Sequence, residues 1–408
     1  MSRVHRLAIL NTHPIQYFAP LYRRLAQEPS VDLTVYYCSA IGAEDSLDQE
    51  FGERFRWDVP LLEGYRYKIL PGLRKQPRTG RFFGMLNPSI FGEIRRGRYD
   101  ALWLHGHNYA TSLLAFLAAK LGGVPVLMRG ETHLLLRRPA WKRWLRRPVL
   151  GLFYGLCAGC LPIGTRNAAF YRAMGVPESK LFLTPYTVDN EFFRAGVENA
   201  RAEAQQLKKS LGIAADTPVI LFASKMSARK RPFDLLRAYH LLRERGVAAA
   251  LVFAGSGEES ARLQSWAAEH HLANVHFAGF QNQTQIPRYF ALADIFVLPS
   301  ENEPWGLIIN EAMCAGLPVV ATQEVGAVAD LVAQEENGFV YPTGDVESLS
   351  SRLAQLCKAE ALRKRMGQRS LAIIQKWSCE EAVQGMLSAL EALRGAASLP
   401  QTQAGTAL

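Results

Sequence analysis

The chain lacks a convincing membrane span. The uncharged stretch 148–165 is only 18 residues long and is broken by Gly151, Gly155, Gly159 and Pro162, so it reads as a buried helix followed by a strand. Cysteine is scarce and scattered: six in 408 residues, at 38, 157, 160, 314, 357 and 379. Only Cys157 and Cys160 form a CxxC, and no second pair or nearby histidine completes a zinc set. Packing of small apolar side chains is the better reading, and no metal site is expected. No signal peptide precedes the first strand, so reduced thiols and a cytosolic protein are expected. The loop after that strand has no GxGxxG, so the dinucleotide fingerprint is missing. Acidic residues are absent from 132 to 177.

What is present describes an ordinary globular protein, with 49% hydrophobic and 21% charged residues. The length fits two domains. The net charge of +10 is lopsided: residues 1–187 hold 26 Lys+Arg against 13 Asp+Glu, and residues 188–408 hold 21 against 24. An anionic partner is therefore expected for the first half alone. Strands alternate with helices along the whole chain, which predicts α/β architecture with doubly wound parallel sheets. The expected division is residues 1–187, residues 188–378, a final helix over 379–394, and a small, polar tail over 395–408 that reads as disordered.

The chain is organised around the stretch 300–321, SENEPWGLIINEAMCAGLPVVA. A buried strand ends just before it and an apolar helix follows. Strand end, acidic loop and helix start is the geometry in which such sheets hold ligands. The backbone N–H groups of Trp305, Gly306 and Leu307 are expected to be free to meet an anion. Glu303 and Glu311, eight positions apart, frame this turn. Lys225, Arg229, Lys230 and Arg231 follow the first strand of the second half, where cations can clamp a diphosphate. Gly255 and Gly257 mark a tight turn after the next strand, and Phe280 and Gln281 end a third strand where a base could lie.

In the first half, the strand ending in His105, Gly106 and His107 and the next one ending at Arg129 and Glu131 predict one wall of a cleft. His13, in the loop after the first strand, reads as readily as structural as it does as cleft-facing. Residues 42–98 read as irregular, either a solvated loop or a flap over an acceptor or lipid headgroup. Residues 137–150 form a basic amphipathic element with Trp141, Trp144, Leu145 and Val149 on one face. It suits an anionic membrane surface, or else a surface helix with its tryptophans inward.

The second half resembles the retaining, GT-B-fold glycosyltransferases of family 4, the glycosyl transferases group 1. The resemblance rests on E-x7-E with AMxxGxPVVA, here Glu303, Glu311, Ala312, Met313, Gly316 and Pro318 to Ala321. It is supported by Lys225 and Lys230, by Gly255, Gly257 and Gly279, and by Gly338 with Asp345. The first half resembles the family more loosely, through HPIQYFAP, HGH, GTRN and PYTVD, and lacks the two-glycine loop that many members place after the first strand.

The resemblance implies two Rossmann-like domains facing across a cleft, with the C-terminal helix crossing back. It implies a metal-free transfer of sugar from a nucleotide-sugar to a glycan or a polyprenyl- or other lipid-linked acceptor, with retention, in cell-surface polysaccharide or lipopolysaccharide biosynthesis. Lys225 and Lys230 would neutralise the diphosphate, Glu311 would bind the ribose, and Glu303 would hold the transferred sugar. His107, with His105 as the alternate, would line the sugar site from the first domain, and His13, Arg129 and Glu131 would flank the acceptor. An inverting transferase or sugar-nucleotide epimerase is the same-fold alternative. A non-catalytic nucleotide-sugar or nucleic-acid binder is the alternative of another class, although the basic residues lack a nucleic-acid motif.

Overall fold

The computed structural model describes residues 4–44, 46–47, 54–74, 76–137 and 140–398; of helix residues 140–145 and 396–398 it describes the backbone alone. Two six-stranded sheets, parallel throughout, carry the chain. The first is built from β1 (His5–Asn11), β2 (Val31–Tyr37), β5 (Tyr67–Ile69), β6 (Ala101–His105), β7 (Val126–Arg129) and β8 (Gly159–Cys160). Two short antiparallel strands, β3 (Ser46–Leu47) and β4 (Arg54–Phe55), lie outside it. The second sheet is built from β9 (Val219–Ala223), β10 (Ala250–Ala254), β11 (Val275–Gly279), β12 (Ile295–Leu298), β13 (Val319–Thr322) and β14 (Gly338–Tyr341).

Their orders are β5-β2-β1-β6-β7-β8 and β11-β10-β9-β12-β13-β14. Counting only strands within each sheet, both read 3-2-1-4-5-6. Each order reverses beside its own first strand, so each sheet opens a crevice at the strand C-termini there, between β1 and β6 and between β9 and β12. The central strands are uniformly buried because helices cover both faces, which is why they read as apolar runs rather than alternations.

The first domain's helices are α1 (Phe18–Ala26), α2 (Ser89–Gly97), α3 (Ala110–Leu121), α4 (Ala140–Gly155) and α5 (Thr165–Ala173). Within the segment expected to be irregular, α2 is a regular helix that buries Ile90 and Ile94 and stops at Arg98 in the left-handed conformation. The 148–155 segment is helical as expected, but only one face of it is buried, with Tyr154 in the core and Leu150 and Phe153 packed against it. Val149 and Leu152 on α4 and Leu156 just past its end are exposed, as are Leu113, Leu117 and Leu121 on α3. The expected inward or membrane-facing placement of Trp141, Trp144 and Leu145 lies outside the described side chains.

The chain crosses to the second domain at 185–189, where the Asp189 carboxylate accepts from the Phe192 N–H and caps α6 (Asn190–Asn199). There follow α7 (Arg201–Ser210), α8 (Pro232–Glu244), α9 (Ser260–Glu269), α10 (Ile286–Leu292), α11 (Ile308–Cys314), α12 (Val328–Leu331), α13 (Val346–Lys358) and α14 (Glu360–Ile374). The last helix, α15 (Cys379–Ser398), crosses back onto the first domain. Arg24 of α1 pairs with Glu380 at 2.7 Å, and a Cβ at Gly385 would lie 1.9 Å from the Leu183 carbonyl oxygen, so the backbones touch. The helix runs four residues past the expected stop at 394, and residues 399–408 lie outside the described residues. Cys157 and Cys160 are buried, unbridged members of the first-domain core.

Candidate functional site

The loop after β9 delivers two cations to one carboxylate. A single 3-10 turn, Ala228–Lys230, ends with Arg231 at φ 49°, and Pro232 starts α8. Arg229 Nη1 and Lys230 Nζ both donate to Glu303 Oε2, each at 2.6 Å. Arg231 turns away to Asp234 and Glu301. Lys230 is buried, which pushes its ammonium below the usual lysine range against the opposing pull of Glu303. Burial alone would raise Glu303, but Lys230 and Arg229 together outweigh it and hold the carboxyl below the usual range. A buried pair of this kind is strongly destabilised by removing one member, since the other charge is left uncompensated. The cations are therefore held in place before any ligand arrives.

These side chains line an inter-domain cavity of about 620 Å³ at the C-terminal ends of both sheets, a size suited to a small-molecule ligand. The second domain contributes Lys225, Arg229, Lys230, Gly255, Phe280, Glu303, Trp305, Gly306, Leu307 and Glu311. Gly255 sits at φ +143°, and a Cβ there would fall 2.0 Å from the Ser224 carbonyl oxygen, so the loops after β9 and β10 approach only because it is glycine. Gly306, at φ +95°, makes the sharp turn into α11. The Trp305 indole points inward, donates to Asn310 and packs on Trp377, so the residue lends the site its backbone while its ring fills the core.

Glu311 is fully sequestered, and burial raises its carboxyl to about 8 against the opposing effect of a hydrogen bond from Tyr17. Tyr17, in the loop after β1, was not singled out in the sequence, nor were the other first-domain wall residues Gln16, Trp57 and Tyr186. The only signal for Tyr17 was its place in HPIQY, at the switch point of the first sheet. Glu131 does line the cavity, and burial raises its carboxyl.

The other first-domain candidates lie elsewhere. His105 packs between Trp103 and Phe18 and bonds the Tyr22 hydroxyl at 2.8 Å. Burial and the nearby Arg129 push its imidazole well below the usual range. Arg129 is buried in a cage of Phe18, Trp103 and Tyr186, where its guanidinium meets ring faces rather than solvent. His13 contacts Thr12. His107 lies past the end of β6, beyond Gly106 at φ +77°, and lines a second cavity inside the first domain.

The histidine that does reach across is His133, two residues beyond Glu131. Its Nε2 is 3.0 Å from the backbone carbonyl of Glu303. Sequence reading stopped at Glu131 because a strand end was the criterion, and His133 sits in the loop past it. The domains are further joined by Thr165 to Asp330, by Arg166 to the carbonyls of Gln323 and Val325, and by Asn282 to the Arg56 carbonyl.

Residues 203–372 match the family described as glycosyl transferases group 1, and residues 14–187 match a glycosyl transferase 4-like domain. A D-inositol 3-phosphate glycosyltransferase from Saccharomonospora viridis is 30% identical over 338 residues, 77% of this chain and 75% of that relative. Sulfoquinovosyl transferase SQD2 of Arabidopsis thaliana is 25% identical over 307 residues, and the match takes in 57% of its length. Among solved structures, Anabaena Alr3699/HepE in complex with UDP superposes with a TM-score of 0.71 at 17% identity, covering 95% of this chain and 99% of that one. A glycosyltransferase from Rickettsia africae gives 0.71 at 14% identity, covering 96% and 99%. These two share the fold.

Proposed function

Because the chain belongs to the glycosyl transferases group 1, a family of GT-B fold, we propose that it moves a sugar, with retention, from a nucleotide-sugar bound in the inter-domain cavity to a lipid-linked or glycan acceptor. The observation that carries this is the pair of cations, Lys230 and Arg229, held on Glu303 at the second sheet's switch point opposite Glu311. A diphosphate placed there meets Lys225, Lys230 and Arg229 and shares the last two with Glu303. Charge developing on the departing phosphate is stabilised by groups already oriented, as in an oxyanion hole. In this reading the cations do the work that a divalent metal does elsewhere, and chelator should leave turnover unchanged.

Glu311 takes the ribose hydroxyls and Phe280 lies beside the base. The N–H groups of Trp305, Gly306 and Leu307 meet the phosphate or the sugar. Retention follows from attack on the same face as the leaving group, with the departing phosphate accepting the proton. Closure of the two domains excludes water.

Assembly of a cell-surface glycan at a membrane is the setting that best fits the surface. The exposed leucines of α3 and α4 form one apolar face, since Phe116 and Phe153 pack at 4.7 Å and Lys120 caps the Leu156 carbonyl. Arg146 lies one turn before Val149 beside this face, and basic residues next to an exposed apolar face suit an anionic interface. Among the described residues no helix is long and apolar enough to cross a membrane.

The test is transfer from a panel of labelled UDP-, GDP- and ADP-sugars to membrane extracts, with anomeric NMR of the product. The solved Anabaena relative carries UDP, so UDP-sugars are tried first. No transfer from any donor, with nucleotide bound all the same, would leave a binding protein instead.

A further inference from the structure

We propose that the second cavity of the first domain receives the hydrocarbon chain of an anionic, phosphate-bearing amphiphile, with the phosphate at Arg146 and Arg147. This rests on the transferase reading and assigns the lipid end of its acceptor.

The cavity has a volume of about 450 Å³. Leu136, Leu150, Phe170 and Met174 make its apolar lining, and Arg146 and Arg147, both exposed, stand at its opening. Its polar lining groups, His107, Asn108, Thr132 and His133, are outnumbered by apolar ones, and burying a hydrocarbon chain against the latter is favourable. The anionic requirement comes from the surroundings. Residues 132–177, which supply most of the walls, hold no acidic side chain, so the field at the opening is positive. Arg146 and Arg147 lie on α4, the same helix that carries the exposed Val149 and Leu152 on another face.

The other end of the cavity abuts the donor site through one residue. His133 is 3% exposed, lines the cavity and bonds the Glu303 carbonyl. A carbonyl only accepts, so Nε2 carries the proton and Nδ1 keeps its lone pair. Nδ1 has no hydrogen-bond partner among the described residues. Burial also lowers the imidazole pKa and keeps it neutral. His133 thus ties the wall of the second cavity to the loop that holds Glu303.

The experiment titrates the full-length protein with dodecyl phosphate below its micelle concentration, followed by calorimetry. Inorganic phosphate supplies the charge without the chain, and dodecyl maltoside the chain without the charge. Dodecyl phosphate should saturate at one equivalent, with both controls at least tenfold weaker. Ala173→Phe, which fills the cavity, and the double variant Arg146→Glu/Arg147→Glu should each weaken dodecyl phosphate at least tenfold and leave nucleotide affinity at wild type. Since both arginines are exposed, the double variant decides the matter if the filled cavity unfolds. Dodecyl phosphate binding unchanged in the double variant would overturn the proposal, as would inorganic phosphate or dodecyl maltoside binding as tightly as dodecyl phosphate. Saturation by dodecyl phosphate in a protein that uses no sugar donor would defeat the transferase reading alone.

Discussion

The Tyr17 hydroxyl donates to Glu311 Oε1 at 2.8 Å, joining the loop after β1 to the helix after β12. In the proposed reading the ribose hydroxyls take this same carboxylate, so Tyr17 and the donor compete for it. Tyr17→Phe should tighten nucleotide binding by roughly three- to tenfold, the equivalent of about 1 kcal/mol for one released hydrogen bond. It should also lower the melting temperature. Calorimetric titration with the best-binding nucleotide measures the first effect, and a thermal melt of the free protein the second. Weaker binding in the variant would mean that Tyr17 assists the ligand instead of yielding to it.

Glu311 also sets a pH dependence. Burial raises its carboxyl from the ordinary 4.5 to about 8, so the folded protein keeps a proton that the unfolded chain releases. Its contribution to stability is complete below about pH 4.5 and is lost as pH climbs through about 8, with a slope of at most about 1.4 kcal/mol per pH unit. Glu311→Gln keeps the shape without the titration. Thermal melts from pH 6 to 9 should therefore show wild type falling relative to the variant. Parallel curves would mean that the carboxyl is ionised in the folded protein at neutral pH.

Lys230→Ala removes a buried ammonium from the diphosphate site and leaves Glu303 to Arg229 alone. A charge-assisted contact of about 1.5–3 kcal/mol is lost, roughly ten- to hundredfold in turnover or donor affinity. Arg229→Ala should cost less, because its side chain is 45% exposed and screened by water. Steady-state kinetics with varied donor decides between the two. Turnover at wild-type level in Lys230→Ala would remove the phosphate role.

The apolar face of α3 and α4 gives a fourth expectation. Leu117→Asp with Leu152→Asp should abolish sedimentation with vesicles containing anionic lipid. Because Leu117 and Leu152 are 49% and 69% exposed, the melting temperature should hardly move. Wild-type binding should weaken with salt. Retained binding in the double variant would place the membrane contact elsewhere.

The doubly wound fold was legible because the buried strands are short apolar runs closed by polar loops, as in VILFAS and IFVLPS. The second-domain half of the site was legible for the same reason: cations and carboxylates at strand ends have few structural uses. The first-domain half was not. His105 and Arg129 occupy strand-end positions, yet the aromatic cluster of Phe18, Trp103 and Tyr22 encloses them, and that cluster forms only when α1 packs on the sheet. Tyr17 and His133 sit in loops, where no periodicity marks the direction of a side chain. Helix α2 was missed because two apolar positions, Ile90 and Ile94, one turn apart, are too few to register against the surrounding basic and aromatic residues.

The return of α15 to the first domain means that the backbone passes between the two bodies twice. The passages run side by side: the Thr187 hydroxyl and the Cys379 thiol are 3.7 Å apart, and the Asn190 amide donates to the Ile374 carbonyl at 3.0 Å. A single tether would let one body swivel, twist and drift relative to the other. Two adjacent tethers act as a door hinge, which permits rotation about one axis and resists the rest. Any opening of the cavity would be steered back along the same arc, returning Glu311 and Tyr17 to each other without a search.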